Sequence, residues 1–157
     1  MINVKKTKTP PTIKQYRIAA IKSEVEDLPQ TKVTSKEDAY NVIKQFYSDD
    51  IEIYESFFVL LLNRANNTIG WAKISQGGVT GTVVDPRIVL KYAVDSLASG
   101  VIIAHNHPSG NLLASESDKK TTDNIKNALK YIDTTLLDHL ILTPNGGYLS
   151  FAESNLL

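Results

Sequence analysis

The chain has no cysteine among its 157 residues. That excludes a disulfide framework and any thiolate metal site. It also excludes the zinc deaminases, whose metal needs a Pro-Cys-x-x-Cys pair. Net charge is missing as well, since seventeen Lys and Arg balance seventeen Asp and Glu. A neutral chain has no global attraction for nucleic acid or an acidic membrane, though a local basic patch is compatible with it. No apolar run approaches the roughly 18 residues of a membrane span. The N-terminal residues lack the apolar core of a signal peptide, so a cytoplasmic protein without a membrane association is expected. The Gly-rich stretch Gln76-Gly77-Gly78 lacks the Walker pattern and reads as a loop, not a phosphate cradle. The length suits one domain with a real core.

What the chain does have is the stretch Ile103-Ala104-His105-Asn106-His107-Pro108-Ser109-Gly110. The apolar run Val101 to Ala104 ahead of it has the character of a buried strand. Side chains at i and i+2 of an extended chain share a side, so His105 and His107 can aim both imidazoles into one cleft at the strand's end. Pro108 helps end the strand, and Ser109-Gly110 is a turn signal. A helical pattern follows from Asp118, with Ile125, Ala128, Leu129 and Ile132 at helical spacing and Ser115 or Ser117 as N-cap. Two imidazoles and the Asp118 carboxylate make three protein ligands. A fourth tetrahedral position is left for water, the arrangement of a catalytic zinc site. The same ligands also suit iron, manganese or nickel.

The rest of the chain reads as scaffold. Residues 1 to 14 are rich in Lys, Thr and Pro and suggest a flexible arm; Tyr16 to Val25 alternates in part, as an edge strand does. Ser35 caps a helix carrying Ala39, Val42, Ile43, Phe46 and Tyr47. Glu55 to Asn63 is a buried strand, Arg64 to Asn67 a hairpin turn, and Thr68 to Ser75 the returning strand. Asp85-Pro86-Arg87 starts a helix whose apolar face is Ile88, Val89, Tyr92, Ala93, Leu97 and Ala98, with Gly100 as its stop. Asp138 to Leu142 and Tyr148 to Phe151 form a terminal hairpin around Pro144-Asn-Gly-Gly147. Trp71, Tyr92 and Phe151 read as core. Strands interspersed with amphipathic helices indicate an α/β fold around a mixed sheet.

His105-x-His107-Pro108, the ten residues separating His107 from Asp118, and Ser115-x-x-Asp118 together resemble the JAMM metalloprotease signature of the MPN-domain superfamily. The wording His-Asn-His-Pro-Ser-Gly-Asn resembles its RadC-like branch, as do Ser75 to Arg87, Leu137 to Ile141 and Tyr148 to Phe151. JAMM sites usually carry Ser or Thr between the histidines; here it is Asn106. The resemblance covers about residues 33 to 157, leaving 1 to 32 as an N-terminal extension. It implies a single-domain MPN fold, a mixed, curved sheet flanked by helices. It implies one Zn2+ per chain on His105, His107 and Asp118, and hydrolysis of a peptide, isopeptide or related amide bond.

The resemblance also implies an upstream Glu that moves protons, a task hydrolysis requires beside the metal. Glu55 matches, with Glu52 as its rival. Ser115 would donate to the oxyanion of a tetrahedral intermediate as well as cap its helix. His139 is either a third histidine ligand, a supporting hydrogen-bond partner beside Asp138, or a structural residue. Thr80, Thr82 and Arg87 match the RadC pattern without an evident mechanism; Arg87 can bind a substrate anion or pair with Asp85. Two other functions stay open. RadC-like proteins carry a DNA-repair label, although the helix-hairpin-helix region of longer members is not in these residues. MPN scaffolds without metal residues act as binding modules. The partners expected are therefore a protein or peptide substrate first and nucleic acid second, with the oligomeric state open.

Overall fold

The strand Ser56–Leu62 (β1) is buried at every position. Such a strand must be covered on both faces, and its side chains alternate between them. In a computed structural model that describes residues 28–78 and 81–157, it lies inside a five-stranded sheet. Its hairpin partner is Thr68–Gln76 (β2), reached through a turn with Asn66 at a φ of 60°. On its other side runs Gly100–Asn106 (β3), antiparallel to it. Thr135–Leu142 (β4) pairs parallel with β3, and Tyr148–Ser150 (β5) closes the order β2-β1-β3-β4-β5. The sheet is therefore mixed, as expected.

The alternation sorts the core into two layers. Phe58, Leu60, Leu62, Ile102, Ala104, Leu140 and Leu142 face the helix Lys36–Ile43 (α1) through Ala39, Val42 and Ile43. Phe57, Val59, Leu61, Val101 and Ile103 face Pro86–Asp95 (α2) and Glu116–Lys130 (α3), meeting Val89, Ala93, Ile125 and Leu129. Ser35 caps α1 with a capping box, which Asp38 completes. The helical pattern there tightens into a 3-10 turn at Lys44–Phe46, and a second such turn spans Asp49–Glu52.

Three expectations need correction. The helix after Asp85 ends at Asp95 and not before Gly100: Leu97 takes a left-handed φ of 53° with its side chain in solvent, and Gly100 already belongs to β3. Tyr92, expected in the core, is exposed, as is Ile88 on the same helix, because Val89 and Ala93 carry the contact of α2 with the sheet. Trp71 is not core either. It lies on the edge strand, 37% exposed, with its ring stacked 4.4 Å from that of Phe46. Among the described residues β2 has a strand neighbour on one side only, so a large ring there finds partial cover. Phe151 is fully buried. The arm at 1 to 14, the strand at 16 to 25 and Thr80 lie outside the described residues. No helix among the described residues is long and apolar enough to cross a membrane.

Ile125 is fully buried and carries α3 on the sheet. Ile125→Ala is expected to cost about 2–5 kcal/mol, the range for truncating a large aliphatic core residue, measured by urea unfolding.

Candidate metal centre

Parallel pairing of β3 with β4 demands a crossover, and α3 is that crossover. The N-terminus of α3 therefore lies near the C-terminal end of β3, where α/β sheets place their sites. His105 follows Val101 and Ile103 on the face that α3 covers. His107 comes just past the strand, and Asp118 stands in the first turn of α3. Because β1 runs antiparallel to β3, its beginning lies at the same end, with Phe57 opposite His105. Glu55 thereby reaches the wall of the same cleft, about 410 Å³, that His105, His107, Ser115 and Asp118 line.

His105 Nε2 lies 3.0 Å from His107 Nε2 and 3.3 Å from Asp118 Oδ1, and His107 Nε2 lies 3.7 Å from Asp118 Oδ2. His105 and Asn106 are buried, His107 and Asp118 half-buried. The second nitrogen of each ring fixes its tautomer. His107 Nδ1 is 2.6 Å from the Asn111 carbonyl oxygen, which can only accept, so Nδ1 carries the proton. The Thr122 hydroxyl lies 2.7 Å from the Asp118 carbonyl oxygen and must donate there. Its oxygen then accepts from His139 Nδ1, also at 2.7 Å. His139 Nε2, left with its lone pair, accepts from His105 Nδ1 at 2.8 Å. Both Nε2 atoms at the cleft therefore present lone pairs to each other and to a carboxylate.

Three acceptors converging without a hydrogen between them call for a cation. Zinc with bonds of about 2.0–2.1 Å in a tetrahedron would separate its ligands by about 3.3 Å, which the observed distances bracket. His105, His107 and Asp118 are thus a group able to hold a metal ion. His139 does not join them: it sits behind His105, fully buried, with both nitrogens already bonded. Burial first, and then the neighbouring His105, pushes His139 well below the usual imidazole range and keeps it neutral.

Ser115, not Ser117, is the N-cap of α3. Its hydroxyl accepts from the Asp118 amide at 3.1 Å, and its own amide donates to Asp118 Oδ2 at 2.7 Å. The capping box therefore also orients the Asp118 carboxylate. Glu55 is half-buried in the cleft wall, while Glu52 is exposed and does not line it. The Glu55 backbone is held on one side by bonds to Gly77 and Gly78. On the other side the Asn106 amide accepts from the Ser56 amide at 2.8 Å and donates to the carbonyls of Ile51 and Tyr54 at 2.7 and 2.9 Å. Asn106 thus ties the segment bearing Glu55 to the strand bearing the histidines. Neither this role nor that of Thr122 was read from sequence. The signal was there: a strand residue between two inward histidines points to the opposite face, and Thr122 is one helical turn beyond Asp118.

Asp138 accepts from His139 N, Ser150 Oγ and Ala152 N, a structural anchor for the turn after β5. Arg87 pairs with Asp85 at 2.5 Å, and Thr82 donates to Ser75 at 2.9 Å. Of the two openings for Arg87, the pairing is what the fold contains.

A proton can fill the place of the cation. Asp118 beside it raises the His107 pKa, the largest influence there; burial opposes this, and the Asn111 carbonyl and Glu55 add to the rise. Burial disfavours ionisation of Asp118, but the His105 and His107 rings outweigh it and hold its carboxyl far below the usual range. As pH falls through the raised His107 value, a metal must displace one proton from His107 and none from Asp118. Zinc affinity is expected to drop by about tenfold per pH unit on that limb, checked by competition against a chelator.

A family model described as the RadC-like JAB domain matches residues 33–156. A UPF0758 protein of Flavobacterium johnsoniae is 41% identical over 125 residues, covering 80% of this chain and 53% of the relative. One from Porphyromonas gingivalis is 38% identical over 133 residues, covering 84% and 58%. The chain spans somewhat more than half the length of these curated relatives. With the family match running from ahead of α1 to the end of the last turn, through the whole His-His-Asp group, the chain belongs to the RadC-like JAB domain family.

Proposed function

We propose that this domain is a zinc-dependent hydrolase that cleaves a peptide, isopeptide or related amide bond. The observation that carries the reading is the meeting of two imidazole nitrogens and one carboxylate in the lining of an open cleft. His105, His107 and Asp118 would hold the ion. When bound, zinc polarises a carbonyl and makes water acidic enough to attack near neutral pH.

The chain's own residues then divide the remaining work. Glu55 takes the proton of the attacking water and passes it to the leaving nitrogen. The Ser115 oxygen uses a lone pair on the Asp118 amide, which leaves its hydroxyl proton to donate to the oxyanion. Glu55 and Asp118 are the charged groups lining the cleft apart from the histidines, and no Lys or Arg lines it among the described residues. With the ion's charge balanced by these two carboxylates, the loaded cleft would be near neutral and offers no Lys or Arg to a phosphate backbone, so the reading favours a protein or peptide substrate over nucleic acid.

Elemental analysis tests the metal first. About one zinc per chain is expected, lost in His107→Ala and in Asp118→Ala. No zinc after loading and removal of excess would overturn the proposal. Glu55→Gln is expected to keep its zinc and lose hydrolysis of a peptide or isopeptide panel; wild-type turnover in that variant would remove Glu55 from the mechanism. Ser115→Ala separates its two roles. Loss of an oxyanion donor lowers kcat by about 10²–10³-fold, whereas loss of the cap costs only about 1 kcal/mol of stability.

A further inference from the structure

His105 has two ways to place its one proton. With the proton on Nδ1 it donates to His139 Nε2 at 2.8 Å, and Nε2 is free. With the proton on Nε2 it would donate to Asp118 Oδ1 at 3.3 Å. That second arrangement joins two candidate ligands to each other and closes the site against a metal. The choice is not made by His105 itself. It is made by which nitrogen of His139 bears a proton, and so by Thr122.

We propose that His139 and Thr122 are positioning residues that hold His105 in its Nδ1–H tautomer and thereby keep the His105, His107 and Asp118 site open to a metal ion. The inference rests on the reading of that group as a metal site. Thr122 is fully buried, and its hydroxyl proton is committed to the Asp118 carbonyl, so only a donor can sit opposite its oxygen. His139 is enclosed by Phe151, with ring centroids 4.5 Å apart, and by Phe57 at 5.7 Å. The Thr122 and His139 side chains are both fully buried, so both hydrogen bonds lie beneath the surface. The register of β3 and β4 places His139 opposite Ile103, two residues before His105, so the ring leans onto its neighbour along the strand. The chain of bonds begins at the side chain of one candidate ligand and ends at the backbone of another. It therefore fixes β3 against α3 as well as selecting the tautomer.

The chain has three histidines, all in this cluster, so a long-range ¹H–¹⁵N spectrum of metal-free protein resolves each ring's tautomer without a crowded background. His105 and His139 are both expected as Nδ1–H. An Nε2–H signal for His105 in the wild-type protein would overturn the proposal, and this measurement needs no variant. H139F fills the space and removes the acceptor; its zinc affinity is expected to fall by about 10–100-fold, the usual loss when a ligand's supporting partner is removed. H139Q can accept from His105 and donate to Thr122, and is expected to recover most of that loss. T122V is expected to shift the His139 tautomer and weaken zinc binding. Folded H139F and T122V proteins that bind zinc as tightly as wild type would sink the idea. Failure of the wild-type protein to bind zinc would instead sink the metal-site reading, with the tautomer result still standing on its own.

Discussion

Two parallel strands of one sheet cannot be joined by a tight turn, and β3 and β4 are such a pair. Their connection has to leave the sheet, cover one face and return. α3 does this, and its N-terminus is consequently delivered to the end of β3. Asp118 meets His105 and His107 because of that connection, not because of any attraction between them. The same pairing sets His139 behind His105. β1 then adds its own start to the same end of the sheet by running antiparallel to β3, which brings Glu55. The cleft is thus a consequence of strand directions.

Within the cleft, one hydroxyl proton decides a good deal. Thr122 gives it to the Asp118 carbonyl, and the assignments at His139 and His105 follow by elimination. A buried hydrogen-bond chain of this sort is stable only when every member is satisfied, because an unpaired polar atom in an apolar surround costs about 1–3 kcal/mol. Phe57 and Phe151 supply that surround. Asp118 is constrained twice, by the Thr122 hydroxyl on its carbonyl and by the Ser115 amide on its carboxylate. A ligand held at both its backbone and its side chain loses little freedom on meeting a cation.

Much of the fold was legible because the determining signals are local. A run such as Phe57 to Leu62 has no polar position to leave in water, so it must be a strand or helix covered on both sides. Ser35 and Asp85 announce helix starts by hydrogen bonds made within a few residues. Errors fell where a neighbour decides the matter. Leu97 fits a helical face by its spacing, but the chain has to turn there to enter β3, and the residue is left in solvent. Trp71 has the size of a core residue, yet among the described residues β2 has a strand neighbour on one side only, and its ring is covered in part, by the rings of Phe46 and Phe58 among others.

The site divides along the same line. The sequence by itself determined the donor types, the i and i+2 spacing that turns His105 and His107 to one side, and the helix start at which Asp118 stands. Those are properties of a strand end and a helix start, and each is complete within a few residues. Only the tertiary structure decided that these two ends meet, that Glu55 and not Glu52 shares their cleft, and that His139 stands behind His105 instead of beside it. The roles of Asn106 and Thr122 belong there too. A buried amide or hydroxyl takes its function from the partners it finds, and the partners of Asn106 and His139 come from segments remote in the chain.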